Sequence, residues 1–296
     1  LVGFNQNWSY MPPVEGTDLV KNVCALGPQI VRYPGGTVTH FWDWRKGIMT
    51  TRNTRVPQPL ENLKRFCDLT NSKPIFVLDI ANRTLDDQLE MLSKAKRLGM
   101  TVTHVELGNE LYAQDKGYEK VFPTGKEYGA RAALWCQAVK REFPGVKVAP
   151  LLLARAVRPS NTRMFDWNRL TLSETRKDAD AYTYHLYIGE SGGTFDSVAE
   201  NFRKVTERDS LGSKEIWVTE YGSQKKPDHP DYLLELSKLA DFVEGFPSVA
   251  VALSHQILGG EMNKLSRDGS TLTPEGTLFV QRARRRGANH TGALKG

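Results

Sequence analysis

Two glutamates at the ends of two apolar runs are the residues best suited to do chemistry in this sequence. The stretch Val102-Thr-His-Val-Glu-Leu-Gly-Asn-Glu-Leu111 reads as a buried strand ending in Glu110, followed by a polar loop from Tyr112 to Gly117. The stretch Glu215-Ile-Trp-Val-Thr-Glu-Tyr-Gly222 repeats the pattern with Glu220. Two carboxylates about 5 Å apart suit cleavage of a glycosidic bond with retention. One, protonated, gives its proton to the leaving oxygen, and the other, ionised, attacks the anomeric carbon. Like charges that close push the two pKa values apart, which prepares the two roles.

Other polar residues belong to the same strand ends. Side chains alternate along a strand, so Glu106, Gly108 and Glu110 share one face and Thr183, His185 and Tyr187 share another. Arg32 stands two residues before Pro34-Gly35-Gly36 and is the candidate cation to hold one glutamate ionised. Asn5 and Asn7 share a face at the first strand, Asp79 or Asn82 comes from the third, and Gln256 or His255 from the eighth. So polar a set is hard to explain as packing, because buried polar groups need partners. Glu106, deeper in its strand, reads as a structural partner of Arg32, and His104 lies at the wrong end of its strand for a site. Trp42 and Trp44 read as sugar-stacking platforms or as loop packing. Arg155, Arg158 and Arg163, after the fifth strand, read as binders of an anionic group or as a solvated loop.

The elements that must position these residues alternate along the chain. Strand patterns fall at Leu1 to Trp8, Gln29 to Tyr33, Lys73 to Asn82, Val102 to Glu110, Val146 to Leu153, Ala181 to Tyr187, Glu215 to Tyr221 and Val249 to Leu258. Helical patterns follow each, at Thr17 to Leu26, Pro59 to Thr70, Leu85 to Leu98, Gly125 to Phe143, Met164 to Arg176, Phe195 to Arg208, Tyr232 to Val243 and Pro274 to Arg286. Strands alternating with helices imply a parallel sheet, and eight such units imply a closed α/β barrel, the (β/α)8 TIM barrel. The rival, a doubly wound open sheet, needs fewer repeats, and no GxGxxG follows the first strand. Strand-to-helix links are long and helix-to-strand links short, which places a site on the face where the strands end. The barrel is expected over residues 1–286, with 287–296 a flexible tail and no β-sandwich accessory domain.

Composition excludes several classes. The chain has 296 residues, of which 40% are hydrophobic and 25% charged, the proportions of an ordinary globular protein. No run is long enough to span a bilayer. The net charge of +6 is concentrated in Arg282, Arg284, Arg285, Arg286 and Lys295, without which the rest is close to neutral. That cluster has no interleaved aromatics and reads as a solvated helix end, so no nucleic-acid or membrane partner is expected. Cys24, Cys67 and Cys136 read as free buried thiols. The six histidines are scattered without a ligand spacing, so neither metal nor cofactor is expected. Asn7-Trp8-Ser9, Asn82-Arg83-Thr84 and Asn289-His290-Thr291 match the glycosylation pattern by chance, the first two lying near the expected site.

These motifs resemble retaining glycoside hydrolases of the (β/α)8 clan with glutamates on strands four and seven. The Asn109-Glu110 pair is similar to the clan's strand-four pair, which implies that Glu110 is the acid/base and that Asn109 binds the sugar 2-hydroxyl. Glu220 in Trp-Val-Thr-Glu-Tyr-Gly matches the nucleophile. Within the clan, Glu-Leu-Gly-Asn-Glu and Gly35-Gly-Thr-Val-Thr-His-Phe41 resemble the heparanase and β-glucuronidase group. Arg32-Tyr-Pro-Gly-Gly36 and Trp42-Asp-Trp-Arg-Lys-Gly47 resemble the α-L-arabinofuranosidases, and His185-Leu-Tyr187 resembles both. In both, that tyrosine contacts the nucleophile. The resemblance implies a carbohydrate substrate, a uronic-acid or sulfated glycan first and an arabinose-containing glycan second. A secreted or periplasmic location is expected. The rivals are a glycan-binding barrel without turnover and a barrel lyase.

Overall fold

The computed structural model describes residues 1–14, 18–113, 117–155 and 157–292. Its strands are β1 (Val2–Asn5), β2 (Ile30–Tyr33), β3 (Trp42–Asp43), β4 (Ile48–Met49), β5 (Lys73–Leu78), β6 (His104–Leu107), β7 (Lys147–Pro150), β8 (Ala181–Ile188), β9 (Glu215–Ser223) and β10 (Val249–His255). Its helices are α1 (Asp18–Leu26), α2 (Leu60–Thr70), α3 (Leu85–Arg97), α4 (Gly125–Glu142), α5 (Thr162–Thr175), α6 (Phe195–Asp209), α7 (Tyr232–Gly245) and α8 (Pro274–Gly292). All strands except β3 and β4 form one sheet in the order β7-β6-β5-β2-β1-β10-β9-β8. Every pairing within it is parallel, and a parallel bridge from Leu151 to Thr183 closes β7 onto β8. The fold is a (β/α)8 barrel.

Local chemistry starts and stops these elements. On α3, Thr84 caps the N-terminus by accepting from the Asp87 N–H. Asp86 and Asp87 sit in its first turn and Lys94, Lys96 and Arg97 in its last, each complementing the helix dipole. Helix α4 begins with a capping box between Thr124 and Glu127. The helices lie outside the barrel and bury Leu63, Phe66, Met91, Leu92, Trp135, Phe202, Leu236 and Phe279 against the strands.

The barrel interior is layered. At the floor, Ile30, Ile75, Ala149, Ala181, Trp217, Val251 and Leu253 form a separate apolar cluster. His104 lies against the Trp217 ring, 5.0 Å between centroids, at the end of the barrel away from the glutamates. Above this floor the inward residues turn polar.

Several boundaries differ from the sequence reading. Strand β6 stops at Leu107, because Gly108 (φ +88°) and Glu110 (φ +46°) take left-handed backbone and turn the chain out of the sheet. The long link from Pro34 to Pro57 contains the β3–β4 hairpin. Its Gly47 (φ +67°) has no room for a side chain, since a Cβ there would lie 2.0 Å from the Gln58 carbonyl carbon. Helix α8 continues to Gly292, so 287–292 are helical where a flexible tail was expected. Residues 293–296, Thr17 and residues 114–116 of the expected polar loop lie outside the described residues. The basic cluster is partly docked: Arg282 pairs with Asp241 and Glu244 and Arg286 with Glu244, tying α8 to α7. Cys67 and Cys136 are buried free thiols as expected, whereas Cys24 is exposed.

Candidate active site

Arg32 is the hub of the polar layer. On β2 it points into the barrel and is fully buried. Its Nε donates to Glu106 Oε2 (2.7 Å) and its Nη2 to Glu106 Oε1 (2.9 Å), a two-pronged pair. Its Nη1 donates to Glu220 Oε1 (2.5 Å) and Asn5 Oδ1 (3.3 Å), and its Nη2 also to Asn109 Oδ1 (2.9 Å). A guanidinium has five N–H donors in a fixed fork, and here each has an acceptor. Glu106 is thus the structural partner expected from sequence. A buried charge pair is tolerated only when its remaining donors and acceptors are satisfied, and this one meets that condition.

Glu220 reaches the site through a bulge. Tyr184 of β8 pairs with Val218 of β9, but the next residue, His185, pairs with Glu220. Thr219 is the extra residue. Trp217 faces inward below, Thr219 faces inward to Glu106, and Glu220 faces inward again, while Tyr221 points out to Glu244 on α7. Strict alternation would have sent Thr219 and Glu220 to opposite faces, and bulges re-aim side chains in this way. Tyr187 donates to Glu220 Oε2 at 2.5 Å. Burial by itself would raise the Glu220 carboxyl. The charges of His185, Arg32 and His255 and the Tyr187 hydroxyl outweigh it and hold the carboxyl at about 2. Glu220 is therefore ionised at neutral pH.

Glu110 sits on the loop just past β6, half-buried, its side chain 27% exposed. His185 Nδ1 lies 3.0 Å from Glu110 Oε1. One carboxylate oxygen of each glutamate and one nitrogen of His185 lie within 4.8 Å of one another. These three residues are close enough to surround a cation, but their facing atoms already bond to each other, to Arg32 and to Tyr187. Burial would lower His185, yet Glu220 and Glu110 together raise it above the usual imidazole value.

Three side chains hold the Asn109-Glu110 pair in place: His40, to which the sequence reading gave no role, Asp79, expected at the rim from the third strand, and Arg163, expected on an anion or in a solvated loop. His40 Nε2 lies 2.9 Å from Asn109 O and 3.2 Å from Asn109 N, and His40 Nδ1 lies 3.0 Å from Asp79 Oδ1. Arg163 is buried and donates to the carbonyls of Leu111 (2.6 Å), Tyr112 and Phe122 (3.0 Å). It braces the loop beyond Glu110 through these carbonyls. Arg155 is paired with Glu190, so it too is engaged. Only the spacing of His40 and Asp79 after their strands offered a signal for this brace.

The remaining expected site residues divide. Asn7 and Gln256 line the main cleft, a cavity of about 510 Å³ that also includes Glu220, Gly36, Tyr10, Arg52 and Glu261. His255 lines it too, so both alternatives at the eighth strand are present; the peptide joining His255 to Gln256 is cis. Asn5 is fully buried and does not reach the cleft. Its Oδ1 accepts from Arg32 and its Nδ2 therefore donates to His255 Nδ1 (2.8 Å). That bond leaves His255 Nδ1 without a hydrogen, in keeping with a ring whose pKa burial has lowered to about 4. Trp42 is not a sugar platform. It is 4% exposed, and its indole donates to the Tyr33 hydroxyl at 2.9 Å, so it packs the hairpin onto the barrel. Trp44 is equally buried. A second lobe of about 260 Å³ opens on the other side of His185 and Tyr187, lined by Arg155, Glu190, Ser197 and Asn201.

Fold and rim define a (β/α)8 barrel with two carboxylates facing each other where the strands end, the place where such barrels build their sites. No family model matches the chain. A solved arabinofuranosidase shares its fold with a TM-score of 0.70 at 18% identity, covering 94% of this chain and 69% of that one. The α-L-arabinofuranosidase of Thermotoga maritima, solved with arabinose, gives 0.65 at 18% identity over 89% of this chain and 62% of its own. The endo-1,4-β-D-mannanase of Thermotoga petrophila gives 0.58 at 16% identity and covers 99% of its own chain. In sequence the chain is 21% identical over 215 residues to α-L-arabinofuranosidase C of Emericella nidulans, matching 59% of this chain and 40% of that protein. The chain thus spans less than half the length of the curated relatives it matches.

Proposed function

We propose that this chain is a retaining glycoside hydrolase of the arabinofuranosidase type, with Glu220 as nucleophile and Glu110 as acid/base. The observation that carries the reading is the close approach of two carboxylates in unlike surroundings. Oxygens of the pair lie within 4.8 Å, the separation of a retaining rather than an inverting site. Glu220 is buried and held ionised by Arg32, so it is ready to attack an anomeric carbon lying in the main cleft. Glu110, half-exposed beside His185, is placed to protonate the leaving oxygen and then to take a proton from the incoming water. The leaving group lies on the Glu110 side, towards the lobe lined by His185 and Tyr187. Asn109, held by Arg32 and His40, presents its amide to a sugar hydroxyl beside the nucleophile. Asn7 and Gln256 line the cleft where the sugar ring lies. The resemblance in sequence and in fold to arabinofuranosidases supports an arabinose-containing glycan.

One observation favours an anionic glycan instead. Arg52 is exposed on the cleft wall, its guanidinium over the Tyr10 ring at 5.0 Å, bonded to Ser9 and Met49 but to no carboxylate among the described residues. A panel of neutral and uronic-acid glycans separates the two. The readouts are new reducing ends and early proton NMR of the released sugar, for wild type and Glu220→Ala. Retained anomer from wild type alone, on arabinosides, supports the first reading. Turnover of uronides that Arg52→Ala abolishes supports the second. Inverted product, or equal activity in Glu220→Ala, removes Glu220 as nucleophile.

A further inference from the structure

Thr219, the residue displaced by the bulge, stands between two groups whose protons can be counted. Glu106 has both oxygens on the Arg32 guanidinium and so acts as an acceptor. The Thr219 hydroxyl lies 3.0 Å from Glu106 Oε1 and must donate there. Its oxygen is then free to accept, and His185 Nε2 lies 3.2 Å away. Nε2 therefore carries a hydrogen. The other ring nitrogen, Nδ1, is the one that faces Glu110 Oε1 at 3.0 Å. A histidine's second nitrogen sets what its first can do, and here the setting comes from a threonine hydroxyl.

We propose that Thr219 is a positioning residue for acid/base catalysis, linking Glu106 to His185 so that His185 Nδ1 holds one oxygen of Glu110. The inference rests on the assignment of Glu110 as acid/base. The chain Arg32–Glu106–Thr219–His185–Glu110 holds an imidazolium whose Nε2–H goes to Thr219 and whose Nδ1–H goes to Glu110 Oε1, which leaves the other Glu110 oxygen to carry the transferable proton. His185 stays in place through both steps while Glu110 alone loses and regains its proton. No bond forms or breaks at Thr219. The groups that face His185 are Glu110 from the loop after β6, Glu220 and Thr219 from β9, Arg32 from β2 and His255 from β10. Of these, only Thr219 bonds Nε2 among the described residues.

The test compares wild type, Thr219→Val, which keeps the shape without the hydroxyl, and Thr219→Ser, which restores it. Substrates are benzyl α-L-arabinofuranoside, whose leaving group needs protonation, and the 4-nitrophenyl glycoside, whose leaving group does not. For Thr219→Val, kcat/KM is expected to fall roughly ten- to a hundred-fold on the benzyl glycoside, with the basic limb of its pH profile moved. On the nitrophenyl glycoside it stays within about threefold, and Thr219→Ser recovers most of the loss. Equal losses on both substrates with an unmoved pH profile would overturn the proposal and leave Thr219 a packing residue. A second readout needs no turnover: long-range 1H–15N NMR of the His185 ring, assigned with His185→Gln. At the pH of activity both ring nitrogens should carry a hydrogen in wild type, and the ring should lose its proton at lower pH in Thr219→Val, which lacks the acceptor for Nε2–H; identical 15N titrations in the two proteins overturn the relay. Wild type that cleaves neither glycoside, with the ring titration as expected, refutes the assigned activity and leaves the relay standing.

Discussion

The floor and the rim of one barrel treat histidine in opposite ways. His104 at the floor and His185 at the rim both sit on barrel strands and face inward, and burial pushes both towards the neutral form. At the floor the nearest layer is Ile30, Ile75, Trp217 and other apolar residues, and one carboxylate, Glu215, is too weak to offset burial. His104 falls to about 4. At the rim two carboxylates, Glu220 and Glu110, overturn burial and raise His185. The floor gains stability by excluding water from apolar surface, whereas the rim keeps charges indoors by giving each a partner. Burial sets a common starting point and the partners decide the sign.

The largest effects test the rim. Glu220→Ala should lower turnover by roughly 10⁴-fold or more while the protein stays folded, and Glu110→Ala by about 10²–10⁴-fold, measured as initial rates on whichever glycan of the panel wild type cleaves. Next comes Arg32→Met, which leaves Glu106 and Glu220 buried without their cation. It should cost about 3–5 kcal/mol of stability in urea unfolding as well as activity, since breaking a buried pair exposes an uncompensated charge. A loss under about 1 kcal/mol, the worth of one exposed ion pair, would mean the rim tolerates bare charge and would erase the contrast with the floor. Gly36→Ala is a smaller, sharper probe. A Cβ there would lie 2.5 Å from Glu220 Oε1 and 3.3 Å from Asn109 Oδ1, so the Glu220 carboxylate must move. Turnover should drop about tenfold to a hundredfold with little change in melting temperature, consistent with the cost of misplacing a reacting group.

The smallest effect tests the floor through pH. His104 has a folded pKa of about 4, below the usual 6.5, so between these values the unfolded chain binds a proton that the native state refuses. Stability from this group is present above pH 6.5 and is lost as pH falls towards 4. His255, also about 4, acts with the same sign, while the raised His185 contributes to the pH dependence only above pH 6.5, where its stabilisation is lost as pH rises. His104→Phe should therefore flatten, without abolishing, the fall in unfolding free energy from pH 6.5 to 4.5. Glu220, held at about 2, contributes its own loss only lower, as pH drops below the usual carboxylate value of 4.5. An unchanged slope in His104→Phe would show that the floor histidine is not desolvated.

The alternation of apolar strands and amphipathic helices was enough to predict all eight βα units and the face that carries the site. That pattern is local, because a strand must bury its side chains every second residue and a helix one stripe every three or four. The two carboxylates were legible for the same reason: each ends an apolar run. The pairing of Arg32 with Glu106 and Glu220 was foreseeable from charge alone, since a buried charge needs a partner. What the sequence could not specify is which way individual side chains turn. Asn5, read as a sugar ligand, instead orients Arg32 and His255, and Trp42, read as a platform or as loop packing, takes the second role against Tyr33. Arg163 spends its charge on loop carbonyls rather than an anion. The bulge at Thr219 and the left-handed backbone at Gly108 and Glu110 break the two-residue period just where the two carboxylates come together. Such breaks depend on hydrogen bonds between strands far apart in the chain, so periodicity determined the barrel and only the closed barrel decided which polar groups meet.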